Sequence, residues 1–265
     1  MKKERLDEAL VRLQYADTPE LARAIIMEGR VFQNGNRLDK PAILLASDVG
    51  LTVKGDKLPY VSRGGLKLEK AIAAFGLTFE GKTCMDVGSS TGGFTDCMLQ
   101  KGAQKVYAVD VGYGLLDWKL RNDPRVVVME RTNARLLTPE MTGGERMDFA
   151  SMDVSFISIR TVLPAVRTCM KENAHLAVLV KPQFEARREQ VGKGGIVRDP
   201  KVHREVLETV IAAMPAIGLV PQGLTVSPIK GVGGNTEFLL HLTNTELNDA
   251  AFQAERAIED VLRFV

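Results

Sequence analysis

At 265 residues and 45% hydrophobic content, the chain is long enough for one full α/β domain plus a small satellite, each around a real core. A formal net charge of +2 excludes a global basic field, so any nucleic-acid surface has to come from local arrangement. The three cysteines, Cys84, Cys97 and Cys169, lack metal-ligand spacing and read as small buried residues in a reducing compartment; with no spanning run and no signal-type apolar core, a cytoplasmic protein is expected.

Residues 1–59 are expected to form a separate unit. Leu6, Ala9, Leu10 and Leu13 recur at helical spacing. Thr18-Pro19-Glu20 supplies an N-cap, a first-turn proline and a dipole-favourable acid for a second helix, which buries Leu21, Ala22, Ile25 and Ile26 and stops at Gly29. Residues 30–37 read as a short strand meeting the Asn34-Gly35 turn, a strong hairpin signal, and residues 50–54 as a further extended piece. In that order, R-L-D-x-x-L, A-R-x-x-I-x-x-G-x-V and N-G resemble the α-L RNA-binding domain of a small-subunit ribosomal protein, pseudouridine synthases and tyrosyl-tRNA synthetases. The resemblance implies a surface that meets structured RNA by shape, through Arg5, Arg23 and Arg30, with Arg63 beyond them. Charge alone does not suggest it: residues 1–59 hold ten Lys/Arg against nine Asp/Glu, a net of +1, and a helix pair with solvated arginines is the alternative.

Residues 60–65 are expected to be a hinge, followed by a helix over 66–75 that buries Leu68, Ala71, Ile72 and Phe75 and ends at Gly76. Lys67 lies about 100° round that helix from Leu68, at the edge of the buried stripe, where it is either solvated or reaches into a cleft. From Cys84 onward strands and helices alternate, the sign of a mostly parallel sheet covered on both faces. Strands are predicted at 84–86, 105–110, 126–129, 147–153, 175–181, 219–226 and 236–242. Asp199-Pro200 caps a helix burying Val202, Val206, Val210 and Met214, and 247–262 is a terminal amphipathic helix. The fold class is therefore α/β: a seven-stranded Rossmann-like sheet with one antiparallel edge over residues 66–265, joined to a small N-terminal α+β domain.

Within it, Asp86-Val87-Gly88-Ser89-Ser90-Thr91-Gly92-Gly93 runs from a strand through a glycine-rich loop into a helix, and Asp110 closes the next strand. Such a loop lets a nucleotide-like ligand approach backbone amides, and a strand-end acid suits ribose hydroxyls. The loop departs from the dinucleotide fingerprint G-x-G-x-x-G and resembles the first motif of class I S-adenosylmethionine-dependent methyltransferases. That resemblance puts Asp86 near the methionine end of the cofactor, Gly88, Ser90, Gly92 and Gly93 around it, Asp110 on its ribose, and Asn133-Ala134 at its adenine edge.

Asp153 in S-M-D-V-S-F, Lys181 in V-K-P-Q-F-E and Glu237 in N-T-E-F each stand at a strand end, and strand ends on one edge of an open α/β sheet converge on the ligand crevice. Singly, each has a structural explanation: a helix-start acid, a snorkelling lysine, a surface strand position. Together with S-R-G-G-L-K-L they resemble the FtsJ-like ribose 2′-O-methyltransferases, whose Lys-Asp-Lys-Glu tetrad maps to Lys67, Asp153, Lys181 and Glu237. Joined to the α-L domain, the chain resembles the TlyA (haemolysin A-like) family of ribosomal RNA methyltransferases over essentially its full length. Gly64-Gly65 departs from the bulkier residues usual in FtsJ, which leaves the hinge geometry open.

The resemblance implies S-adenosylmethionine as cofactor, ribosomal RNA or ribosomal subunits as partner, no metal, no membrane, and a monomer. A sugar hydroxyl is a poor nucleophile until its proton leaves, whereas the sulfonium methyl is already activated. Lys181 either takes that proton or stabilises the forming alkoxide, and the sequence does not choose its protonation state. Residues 185–198, with Arg187, Arg188, Lys193 and Arg198 among glycines, read either as a loop that closes over RNA phosphates or as a solvated flap. A catalytically silent RNA-binding factor, a membrane-damaging haemolysin and a nicotinamide oxidoreductase are the competing readings. The intact tetrad, the lack of a spanning segment and the loop's departure from the dinucleotide pattern speak against them in turn.

Overall fold

The computed structural model describes residues 3–13, 15–16, 18–46, 50–54, 59–245 and 252–265. The chain divides into one unit ending at Ser62 and a second beginning at Arg63.

In the first unit, β1 (Lys3–Arg5) leads directly into α1 (Leu6–Arg12), followed by α2 (Pro19–Met27), β2 (Val31–Gln33), β3 (Asn36–Leu38), β4 (Leu44–Ala46) and β5 (Thr52–Val53). The Thr18 hydroxyl accepts from the Leu21 amide and Pro19 opens the helix, while Gly29 leaves it at φ +70°. Asn34 and Gly35 both take positive φ, which matches the turn to the twist of the β2–β3 pair, and β5 joins β2 on its other side. Leu6, Leu10, Ala22, Ile25, Ile26, Val31 and Leu51 form the core. Leu13, expected in the buried stripe, is exposed: the helix ends at Arg12, before a further turn would have carried Leu13 inward.

In the second unit, α3 (Gly64–Phe75) begins inside the stretch expected to be a hinge, so Gly64 and Gly65 form its first turn; Gly76 closes it in the left-handed region. There follow β6 (Thr83–Val87), α4 (Gly93–Gln100), β7 (Lys105–Val109), α5 (Trp118–Arg121), β8 (Val126–Met129), β9 (Met147–Met152), α6 (Ile159–Thr168), β10 (Met170–Val180), α7 (Pro182–Glu185), α8 (Pro200–Ile217), β11 (Val220–Val226), β12 (Phe238–Asn244) and α9 (Ala254–Leu262). The seven strands stand in the order β11-β12-β10-β9-β6-β7-β8. Six run parallel. The antiparallel strand, β12, is not the edge: it lies between β10 and β11, bonded to both.

The sheet is covered on both faces. Met85, Val87, Leu176, Val178, Phe238 and Leu240 pack with α6, α8 and α9. The alternate residues face α3 and α4, as where Phe75 of α3 stacks on His241 of β12 and Thr95 of α4 meets Asp86 of β6. β10 starts five residues earlier than its apolar pattern suggests, through a register shift between Met170 and His175. Helix α6, capped by Ser158, was missed by the helix reading of the sequence. Of the terminal helix expected over 247–262, residues 247–251 lie outside the described residues, and Phe252 and Gln253 are not helical; the helix begins at Ala254 with Gln253 as its N-cap. Among the described residues no helix is long and apolar enough to cross a membrane.

Candidate active site

The C-terminal ends of the parallel strands meet at one edge of the sheet, and the antiparallel β12 brings its N-terminal end to the same edge. Val87 pairs with Met152, Met152 with Val178, and Val180 with Phe238, so Gly88, Asp153, Lys181 and Glu237 follow or precede matched positions on neighbouring strands. Lys67 enters from the first turns of α3.

There Lys67 Nζ lies 2.8 Å from Glu237 Oε2 and 3.0 Å from Asp153 Oδ2. The other Asp153 oxygen, Oδ1, lies 2.5 Å from Lys181 Nζ, which also donates to Ser155 Oγ at 3.1 Å. The structure thus brings all four candidate catalytic residues together, with Asp153 between the two lysines and Glu237 serving Lys67. Lys67 is buried rather than a solvated edge residue: it is 9% exposed. Burial alone pushes its ammonium down, but the Asp153 and Glu237 carboxylates outweigh that and hold it above its ordinary value. Burial likewise pushes the Asp153 carboxyl up, and the two lysines more than reverse it, keeping it below the usual carboxylate range.

Several groups around the cluster carry no signature of their own in the sequence. Ser155 holds the Lys181 amine from the loop after β9. Gly231 sits so close to Glu237 that a Cβ there would meet Oε1 at 2.1 Å. Glu185, the acid of K-P-Q-F-E, keeps its side chain 1% exposed and accepts from the Ile159 amide and the Ser158 hydroxyl, both at 2.7 Å. It thereby ties the segment after Lys181 to the start of α6, and so to the loop that holds Asp153 and Ser155. Burial raises its carboxyl against those hydrogen bonds.

The glycine-rich loop closes down beside the cluster. Gly88 has φ +81°, and a Cβ there would lie 2.6 Å from the Asp153 carbonyl oxygen; Gly92, at φ +94°, would meet Leu120 at 2.2 Å. These two glycines therefore serve the loop's packing, and Gly93 is a buried first residue of α4. Ser90 is exposed in the left-handed region, and its amide donates to Asp110 Oδ2 at 2.8 Å while Gly112 donates to Oδ1 at 2.7 Å. Asp110 stands half-buried at the end of β7, as expected, but its carboxylate already orders the loop. The Thr132 amide donates to the Asp110 carbonyl, which places Asn133 and Ala134 beside that strand end; Asn133 Oδ1 caps the following turn through the Arg135 amide.

Asp86 is the acid that the resemblance puts near the methionine end of the cofactor. It is 1% exposed, and its carboxylate accepts from the Thr95 amide (2.9 Å), the Thr95 hydroxyl (2.7 Å) and the Ser151 hydroxyl (3.0 Å). It clamps α4 to the sheet under the loop, and burial lifts it to about 6 despite those bonds. A half-buried acid at a strand end, an exposed turn amide and a neighbouring asparagine fit a nucleoside, so Asp110, Ser90 and Asn133 are the residues suited to hold one.

Of the arginines implied for RNA, Arg5 and Arg23 are half-exposed and both reach the buried Asp7, at 2.9 and 3.0 Å. The hydrogen bond from Arg5, opposed by burial and joined by Arg23, holds Asp7 down at about 2. Arg30 is more enclosed, donating to the Lys54 carbonyl at 2.6 Å, and Arg63 is exposed at the start of α3. Cys84, Cys97 and Cys169 are buried thiols. Among the described residues no three His, Cys, Asp or Glu side chains are grouped to hold a metal.

The family model for FtsJ-like methyltransferases matches residues 60–244, and that for the S4 domain matches residues 4–48. YqxC of Bacillus subtilis (strain 168), named as a candidate rRNA methyltransferase, is 57% identical over 241 residues, 91% of this chain and 86% of that one. The 16S/23S rRNA (cytidine-2′-O)-methyltransferase TlyA of Mycobacterium tuberculosis (strain ATCC 25618 / H37Rv) is 44% identical over 262 residues, 98% of this chain and 96% of that one. A solved structure of a candidate hemolysin from Streptococcus thermophilus matches with a TM-score of 0.77 at 46% identity, covering 99% of this chain and 97% of that one.

Proposed function

Because this chain belongs to the FtsJ-like methyltransferases, in the branch that includes TlyA, we propose that it methylates a ribose 2′-hydroxyl of ribosomal RNA, with S-adenosylmethionine as donor and a cytidine as target. The observation that carries the reading is the buried Lys67–Asp153–Lys181–Glu237 cluster at the sheet edge beside the glycine-rich loop. The bound cofactor supplies an activated methyl group; Asp110 with Ser90 and Asn133 are the residues to hold its nucleoside.

The protein's task is then to orient a hydroxyl and remove its proton. We assign proton acceptance to Lys181. Lys67, held charged by its two carboxylates, is the fixed cation of the cluster. Asp153 and Ser155 aim the amine; Glu237 acts through Lys67. The N-terminal unit, matched by the S4 model, is assigned to RNA binding through Arg5 and Arg23.

Alkaline cleavage of RNA needs a free 2′-hydroxyl, so a 2′-O-methyl group protects one linkage. Ribosomal RNA, free and in assembled subunits, is incubated with enzyme and methyl-labelled cofactor and then hydrolysed in alkali. Label in a protected dinucleotide is expected. Label only in mononucleotides means base methylation and removes the role given to Lys181; no label under any condition favours a silent RNA-binding factor.

A further inference from the structure

Residues 186–201 contain five Lys/Arg and two Asp/Glu, a net of +3, more than the +2 of the whole chain. The structure gives this segment a fixed shape. It leaves the tetrad edge just after Lys181 and α7, and folds on itself where the Gly192 amide donates to the Ile196 carbonyl at 3.0 Å, with Gly194 and Gly195 at positive φ in the tip. The buried Asn235, two residues before Glu237, pins its return: Asn235 Oδ1 accepts from the Val197 amide at 3.0 Å and Nδ2 donates to the Gly195 carbonyl at 2.9 Å. The His203 ring nitrogen Nε2 meets the Val197 carbonyl at 3.1 Å from the other side.

Both anchors of the hairpin are therefore the segments that carry Lys181 and Glu237. What it displays outward is Arg188, Lys193 and Arg198, all exposed and, among the described residues, without a carboxylate partner within 4.0 Å. Lys193 and Arg198 line a notch of about 270 Å³ with Gln190, Gly192 and Ile196. The acids of the segment are accounted for elsewhere: Glu189 lies by Arg187, and Asp199 caps α8. A notch lined by two cationic side chains, on a hairpin that joins the segments carrying Lys181 and Glu237, suits a phosphodiester adjoining the target nucleotide.

Resting on the RNA reading above, we propose that the Arg188–Arg198 hairpin is a preformed phosphate-binding subsite, in which Lys193 and Arg198 hold the RNA backbone beside the ribose presented to Lys181. Phosphate contacts of this kind are independent of base identity and appear as a salt dependence of affinity.

The test uses the full chain and purified bacterial ribosomal RNA. Affinity is measured across a salt series for the wild type, for Lys193→Gln/Arg198→Gln, and for Arg263→Gln at the end of α9 as a control. The double variant is expected to bind more weakly and to have a slope of log affinity on log salt shallower by about 1 to 2, with melting temperature and calorimetric S-adenosylmethionine affinity unchanged. The control is expected to keep the wild-type slope. A double variant with wild-type affinity and slope overturns the subsite, as does a wild type that binds no RNA. Wild-type enzyme that binds RNA but leaves no alkali-resistant dinucleotide refutes the ribose chemistry instead, and the slope comparison still decides the hairpin.

Discussion

The ammonium of Lys67 and the carboxylate of Glu237 lie 2.8 Å apart across 170 residues of sequence, both nearly sealed from solvent. Removing one partner of such a pair strands the other. Lys67→Ala is therefore expected to cost about 3 kcal/mol or more of stability as well as methyl transfer. Replacing both, as Lys67→Met/Glu237→Leu, is expected to recover much of the stability and none of the activity. Urea midpoints and a transfer assay on the two variants decide this; an unchanged midpoint for Lys67→Ala contradicts the pairing.

Lys181 is expected to behave differently, because Asp153 keeps Lys67 when Lys181 is lost. Lys181→Ala should lower kcat by roughly 10²- to 10⁴-fold, the usual worth of a positioned proton acceptor, with cofactor affinity and melting temperature little changed. Lys181→Arg should not rescue it, since a guanidinium does not give up its proton near neutral pH. Single-turnover transfer rates test both, and an active arginine variant would move the role from proton acceptance to charge.

Asp110 has two duties, ordering the loop through the Ser90 and Gly112 amides and offering its remaining lone pairs to a ribose. Asp110→Ala is expected to weaken S-adenosylmethionine binding by about 1 to 3 kcal/mol. Asp110→Asn should be nearly as damaging, because one amide position then turns N–H donors toward a backbone N–H. Calorimetry measures both; wild-type affinity in either variant removes Asp110 from the cofactor site.

A pH dependence of stability follows from the stack of Phe75, His241 and His175, whose two imidazoles share a 3.0 Å nitrogen contact. Burial, with the neighbouring His175, lowers His241 to about 4, and burial lowers His175 as well, so the folded protein keeps both neutral while the unfolded chain takes up protons near pH 6.5. The stability from this stack is complete above that value and is lost as pH falls from about 6.5 toward 4, on the order of 2 kcal/mol. Urea midpoints of wild type and His241→Phe, taken between pH 7.5 and 4.5, should diverge over that interval; parallel curves would mean that the ring carries its charge without penalty.

The features legible in the sequence are those fixed by near neighbours or by a rule of sheet geometry. Thr18-Pro19, Asn34-Gly35 and Asp199-Pro200 each carry their cap or turn chemistry within a few residues. Asp153, Lys181 and Glu237 were found because strand ends of an α/β sheet converge. What stayed hidden depends on partners far along the chain. Nothing next to Asp86 in the sequence shows that Thr95 and Ser151 hold its carboxylate. The helical spacing of Lys67 gives its angle on α3 but not the two carboxylates that make its burial tolerable. Glu185 and Ser155 have roles only through the loop they share, and a hairpin-like last pair of strands does not say which of the two will lie at the edge.

The inward place of β12 also orders events in time. Of the four residues in the cluster, Glu237 is the last to leave the ribosome, and its strand must insert between β10 and β11 rather than add to a finished rim. Until it does, β10 offers an open flank and Lys67 lacks its nearer counter-charge. Assembly of the catalytic edge is thus tied to a pairing between strands whose partners lie 58 to 70 residues apart, the kind that forms slowly. A nascent chain that has emerged only as far as Lys181 holds three of the four groups and no closed site.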